Sequence, residues 1–250
     1  MIRLYDGNNY TRLRAASDFT GRPISGMYRE IDAHTGVSVV VWDGRGALAR
    51  RRKIYPDYKA QREPGAENIY ASMDLLKALL KLSQRAVQIE LPGYEADDVI
   101  AHLAGRYGNQ IEHLYSNDGD LAALGIPMER EETKIEPHWI RLYKATVGDP
   151  ADNIPGIKGF GKGTWDTLDD HDRRQLESFL AGETDFDQVV APLPKRVTSW
   201  LLEPANVEQA RIYYQVVGFI PIPRETVDAA MTHGVAKPVE AYQILDHYEI

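Results

Sequence analysis

The chain has 250 residues, 43% of them hydrophobic and 26% charged, with a formal net charge of −8 and no cysteine. That composition suits a soluble globular protein with one sizeable core and a smaller lobe. It excludes disulfides, thiolate metal sites and cysteine nucleophiles, and no apolar run approaches the ~20 residues that span a bilayer. The opening MIRLYDG lacks the apolar stretch of a signal peptide. Cytoplasmic residence without a membrane partner is therefore the expectation.

Short runs rich in Val, Ile and Tyr predict strands over residues 2–5, 37–42, 86–90 and 111–115. Between them helical patterns run over 8–17, 25–33, 66–82 and 96–106. Leu75, Leu76, Leu79, Leu80 and Leu82 give the third an apolar stripe of helical spacing. Strand–helix alternation predicts an α/β fold with a mostly parallel central sheet and helices on both faces. From about His138 the texture becomes helical, with candidates at 138–147, 173–180, 205–217 and 239–247 punctuated by Gly and Pro. The expected organisation is an α/β core over 1–137, with an arch near 50–82, and a helical region over 138–250.

Nine carboxylates mark the places where strands end or helices begin. They are Asp6, Asp43, Glu95, Asp97, Asp98, Asp118, Asp120, Asp149 and Asp152. Ligands of parallel sheets bind at the carboxyl ends of the strands, and Asp6, Asp43 and Asp118 each follow a predicted strand there. A lone Asp-Gly is usually a turn, so Asp6-Gly7 and Asp43-Gly44 carry weight only as a pair. Acids also cap helix starts, yet three in the four positions of Glu95-Ala96-Asp97-Asp98 exceed that need. Carboxylates this close cannot all ionise without a cation. Hard oxygen donors suit Mg²⁺ or Mn²⁺, and two such ions can clamp both oxygens of a phosphodiester under attack. The pattern reads as a two-metal nuclease.

Charge balance fits a nucleic-acid partner once those nine are set aside, because the other 28 acids nearly match 29 bases. Arg45, Arg50, Arg51, Arg52, Lys53, Lys59 and Arg62 lie within eighteen positions. Such a run is ordinarily a solvated face, but the interleaved Tyr55 and Tyr58 add rings that can stack on bases. Near 149–168, Ile154-Pro155 precedes the stretch from Gly156 to Thr164, which has a helix–hairpin–helix pattern. Its backbone amides at Gly159 and Gly161, with Lys158 and Lys162, suit a sequence-independent grip on phosphate. A Walker A loop, an EF-hand, a zinc HExxH and a GxSxG elbow are all absent.

Taken in order, RRRKIYPDYKAQR, GYEADDVIAHLA, SNDGDL and GDPADNIPGIKGFGKGT resemble the flap endonuclease (5′→3′ exonuclease) family. Phage enzymes and the N-terminal nuclease domain of bacterial DNA polymerase I are the nearest likenesses, over about residues 2–165. The resemblance implies a PIN-like sheet, a helical arch, two Mg²⁺ or Mn²⁺, and a helix–hairpin–helix that grips duplex DNA, often with K⁺. By position Asp6, Asp43, Glu95 and Asp97 take the first ion. Asp118, Asp120 and Asp152, helped by Asp97 and Asp149, take the second, and Asp98 acts through waters. Lys59 and Arg62 match the arch-base cations that contact the scissile phosphate, and Arg51 matches a DNA-contacting arginine. Asn117, Gly163 and Trp165 depart from the usual pattern. The implied activity is that of a free-standing, monomeric 5′ nuclease acting on flapped, nicked or 5′-ended duplex DNA and on RNA primer–DNA hybrids, in replication and primer or flap removal. Two rival readings are a PIN-type ribonuclease and a catalytically degenerate structure-selective DNA-binding protein.

Overall fold

The computed structural model describes residues 1–15, 22–63, 65–128 and 135–247. The chain begins with β1 (Ile2–Asp6), α1 (Gly7–Ala15), α2 (Arg22–Asp32), β2 (Val37–Trp42), α3 (Ala49–Ile54) and α4 (Glu67–Leu80). It continues with β3 (Ala86–Glu90), α5 (Ala96–Tyr107), β4 (Ile111–Tyr115), α6 (Ile140–Val147), α7 (Lys162–Thr167) and α8 (Asp170–Leu180). The last elements are α9 (Lys195–Leu201), α10 (Pro204–Val216), α11 (Arg224–Ala230), β5 (Met231–His233) and α12 (Pro238–His247). Among the described residues no helix is long and apolar enough to cross a membrane. The predicted first helix, over 8–17, runs past Ala15 onto residues outside those described.

Two compact units emerge. The sheet unit takes Met1–Ala47, Glu63–Glu132 and Ile220–Ile250, and the helical unit takes Leu48–Arg62 and Thr133–Phe219. The sheet order is β4-β1-β2-β3-β5. The first four strands are parallel, with Asp6 level with Val41, and β5 pairs antiparallel with β3. Chain order reverses beside β1, so the ligand edge of such a sheet falls at the carboxyl ends of β1, β2 and β4.

Alternation along the strands assigns the faces. Tyr5, Val40 and Trp42 pack into one cluster with Tyr10, Ile24, Met27, Tyr28, Ile31, Met73 and Leu76 from α1, α2 and α4. Leu4, Val39 and Val41 point the other way, toward α5, whose Val99, Ile100 and Leu103 are buried. The same alternation sends Asp6 and Asp43 to the α5 side. Burying side chains of this size stabilises by roughly 1.5–3 kcal/mol each before chain entropy is counted.

Two expected boundaries shift. The stretch 67–80 is α4, a core helix of the sheet unit, because Ile69, Met73, Leu76, Leu79 and Leu80 bury their apolar stripe there. Of the expected arch at 50–82, only residues up to Arg62 belong to the helical unit. The expected helical region over 138–250 also loses its last part. Residues from Ile220 onward return to the sheet unit, where the backbone of Met231–His233 completes the edge of β3. The helical unit has its own core around Trp139, Leu142, Trp165, Leu176, Phe179, Val197 and Tyr213.

Candidate metal centre and nucleic-acid interface

In the sheet unit, Asp6 ends β1 and is buried. Its Oδ1 accepts the backbone N–H of Asn9 at 3.0 Å, and its Oδ2 accepts the Ser116 hydroxyl at 3.2 Å. Burial pushes its carboxyl up to about 7, and the charges of Asp43 and Asp118 push the same way. The two hydrogen bonds oppose this without cancelling it. A carboxylate crowded by two others and cut off from water is the environment that a divalent cation relieves. The donor set fits a hard metal ion for that reason.

Asp43 follows β2. Its backbone N–H donates to Asn8 Oδ1 at 2.8 Å, and its own Oδ1 accepts the N–H of Ala96 at 2.9 Å. The strand-end carboxylate therefore caps α5, which makes no cap from the Glu95 side chain. Buried Glu95 and half-buried Asp97 arrive beside it in that first turn. Asp118 N–H donates to Ser116 Oγ at 3.1 Å, and Asp118 Oδ1 accepts Asp120 N–H at 3.0 Å, which folds the NDGD segment into an Asx turn.

The glycines after Asp6 and Asp43 act through space. Neither has positive φ. A Cβ on Gly44 would lie 1.8 Å from the Leu91 carbonyl oxygen, and one on Gly7 would lie 2.5 Å from the Trp42 ring. They let β1 and β2 run into the site at close quarters.

Asp98 carries a structural bond. It is buried, and its Oδ1 accepts the backbone N–H of Ile220 at 2.8 Å, so this oxygen fastens the returning C-terminal segment. Asn8, Asn9 and Ser116, which the sequence reading passed over, orient the acids. Asn9 and Asn117 also bond reciprocally, Nδ2 to Oδ1 at 2.8 Å and Asn117 N–H to Asn9 Oδ1 at 3.2 Å. The one sequence signal was a pair of asparagines directly after Asp6-Gly7.

In the helical unit, Asp152 is buried. Arg62 lies 3.0 Å from its Oδ1, Lys59 Nζ 3.6 Å from the same oxygen, and the Tyr58 hydroxyl donates to Oδ2 at 3.4 Å. Burial holds the Asp152 carboxyl above its usual range despite the pull of Lys59. Asp149 lies 2.6 Å from Lys144 Nζ and accepts the N–H of Ala151 at 2.9 Å. The expected DNA contacts divide. Lys158 and Lys162 are exposed, the latter paired with Asp166 at 2.5 Å. Gly159 has φ +89 and backs onto the Arg196 side chain, while Gly161 precedes α7.

Two of those contacts need correction. Arg51 is buried, and its guanidinium donates to the carbonyls of Val216 and Gly218, both at 3.1 Å. It satisfies the C-terminal end of α10 from inside the unit. Tyr58 is buried in the same core, under the Lys59 ammonium at 4.8 Å, so its ring offers no stacking face to a base. Trp165, unusual in the motif, fills that core and meets Tyr143 edge-on at 5.1 Å.

Residues 16–136 match the family model for the 5′-3′ exonuclease N-terminal, resolvase-like domain. A 5′-3′ exonuclease of Aquifex aeolicus is 41% identical over 145 residues, which is 50% of this chain and 49% of that protein. The thermostable DNA polymerase I of Thermus thermophilus is 31% identical over 192 residues, covering 65% of this chain and 23% of that protein. The chain thus spans about half the length of the exonuclease relative and about a quarter of the polymerase. Among solved structures, the T5 D15 protein co-crystallised with metal ions superposes with a TM-score of 0.61 at 19% identity, over 99% of this chain and 96% of the other. At that identity the likeness is one of fold. A bacteriophage T5 D15 flap endonuclease in a complex with DNA and metal ions gives a TM-score of 0.56 at 19% identity, over 100% of this chain and 99% of the other.

Proposed function

We propose that the chain, whose residues 16–136 match the 5′-3′ exonuclease N-terminal domain, is a structure-specific 5′ nuclease of that family. In this reading it hydrolyses DNA phosphodiesters near single-strand/duplex junctions with Mg²⁺ or Mn²⁺. Water adds to phosphorus, the P–O3′ bond breaks, and the products carry a 5′-phosphate and a 3′-hydroxyl. The observation that carries the reading is the gathering of Asp6, Asp43 and Asp118 at the strand ends, with Asp6 pushed up to about 7.

Divalent metal at these carboxylates would supply the positive charge and Lewis acidity that phosphodiester hydrolysis needs. The chain's own residues prepare for it. Asn9 N–H and Ser116 hold both oxygens of Asp6. Asp43 spends one oxygen on α5 and so fixes the turn that presents Glu95 and Asp97. Asp118 and Asp120 are set by their Asx turn. In the helical unit Lys59 and Arg62 supply charge for the phosphate as negative charge develops, a contribution of roughly 3–4 kcal/mol for groups of this type. Lys158 and Lys162 grip the backbone of the duplex. The helix–hairpin–helix character of 149–168, a K⁺ there and action as a monomer belong to the same reading.

The test uses 5′-labelled flapped, nicked and single-stranded DNA beside single-stranded RNA, each with Mg²⁺ and with EDTA. Expected is Mg²⁺-dependent cleavage of flapped DNA near its junction. Cleavage confined to RNA would make the chain a PIN-type ribonuclease. Binding to flapped DNA without cleavage under any metal would make it a binding module.

A further inference from the structure

Two short turns of the helical unit interlock. One is 57–62 and the other 149–153. Each carries a non-glycine residue of positive φ, Lys59 at +51 and Asn153 at +61, and these are the two such residues among those described. Asn visits this region readily. Lys pays for it, because its Cβ crowds the following carbonyl. The surroundings hold Lys59 there. Its N–H donates to the Asp152 carbonyl at 3.1 Å, and Arg52 donates to the carbonyls of Tyr58 at 3.1 Å and Lys59 at 3.3 Å. Across the turns, Asn153 Nδ2 donates to the Asp57 carbonyl at 2.8 Å and Gln61 Nε2 to the Pro150 carbonyl at 2.7 Å.

The left-handed backbone decides where the buried Lys59 side chain leaves the chain. At ordinary φ its Cβ would swing away, and the ammonium could not keep its place over Tyr58 and beside Asp152. Neither Asn153 nor Gln61 carries charge. Their amide hydrogen bonds tie one turn to the other. We propose that Asn153 and Gln61 are positioning residues for Lys59, fastening the interlocked turns so that its ammonium is presented in one direction. This rests on the nuclease reading above.

The test compares Asn153→Gly, which keeps the backbone conformation and removes the amide, with Gln61→Ala. Single-turnover cleavage of flapped DNA in Mg²⁺ is measured beside affinity in Ca²⁺ and hydrogen exchange at residues 57–62. Each variant should slow cleavage about tenfold or more, since small misplacement of a reacting group is costly. Affinity should stay within about twofold, and exchange should quicken. In a Lys59→Ala background, Asn153→Gly should slow cleavage no further, because both changes remove one function. Equal slowing in both backgrounds, unchanged cleavage in both variants, or affinity falling in step with rate would overturn the proposal. A wild-type chain that cleaves nothing would instead overturn the nuclease reading, and the exchange rates would still show whether Asn153 fastens the turn.

Discussion

Asp43 accepts the backbone N–H of Ala96 at 2.9 Å, so a carboxylate at the end of one strand caps the helix that carries Glu95 and Asp97. In the proposed nuclease the residue would have two separable duties, an acceptor for the cap and a negative charge for a metal. Asp43→Asn keeps an acceptor and removes the charge. It should abolish cleavage while leaving metal-free thermal stability unchanged or higher. Asp43→Ala removes both and should also lose about 1 kcal/mol of stability, the usual worth of an N-cap. Thermal unfolding in EDTA beside cleavage in Mg²⁺ separates the two. Equal stability of the two variants would remove the capping role.

Asp6 makes the metal-free protein sensitive to pH. Its carboxyl stands at about 7, against an ordinary value of 3.8. The folded chain keeps a proton that the unfolded chain has released, so the contribution of Asp6 to stability is greatest at low pH. It should fall as pH rises from about 4 to about 7 and then level off. The loss is on the order of a few kcal/mol, and Asp6→Asn should abolish the slope. Divalent metal binds the ionised form, so its stabilising effect should grow through the same window. Thermal shifts from pH 5 to 8.5, with EDTA and with MgCl₂, measure both trends. An unchanged slope in Asp6→Asn would show that another group sets it.

Arg51 should matter for folding rather than grip. Arg51→Ala leaves the Val216 and Gly218 carbonyls without its guanidinium inside the helical unit. The cost is about 2–3 kcal/mol, with a fall of roughly 5 °C or more in Tm. The salt dependence of DNA affinity in the folded variant should match wild type. A lower salt slope with unchanged Tm would return Arg51 to the DNA surface.

Lys158 and Lys162 should differ from each other. A lysine released onto a phosphate contributes close to one unit of salt slope. Lys162 already has Asp166 as its counterion. Lys158→Ala should therefore lower the slope of log affinity against log salt by about 1, and Lys162→Ala by less. Titrations between 50 and 200 mM salt decide it, and two unchanged slopes would detach the 156–164 turn from DNA.

The parallel strands were legible because buried central strands are written in Val, Ile and Tyr. The four predicted strands match β1 to β4, with β1 one residue longer than read. Their terminal acids were legible for the same reason, since a charge directly after such a run has to sit at a sheet edge. β5 was not, because Met231-Thr232-His233 is three residues of mixed polarity and takes its strand character from the open edge of β3. Arg51 was misread because a cation in an RRRK run looks solvated, whereas the carbonyls ending α10 hold it inside. Asp98 shows the same limit. Its place in the helix was readable, but its partner stands 122 positions away.

That partner places the sheet unit late in synthesis. Its strands come from both sides of the helical unit, and Ile220 and β5 are made after every helical-unit residue. A ribosome that has delivered the first 219 residues has built β1 to β4 and the whole helical unit. β3 still has a bare edge, open to pairing with another chain, and Asp98 has no Ile220 amide to accept. The turn of α5 that offers Glu95 and Asp97 is then held through Asp43 without this second anchor. Stalled chains ending at 219 and at 247 should accordingly differ in Mg²⁺ protection from protease, the longer one alone gaining it. The sheet edge that carries the acids is thus fastened by polypeptide made only after the helical unit.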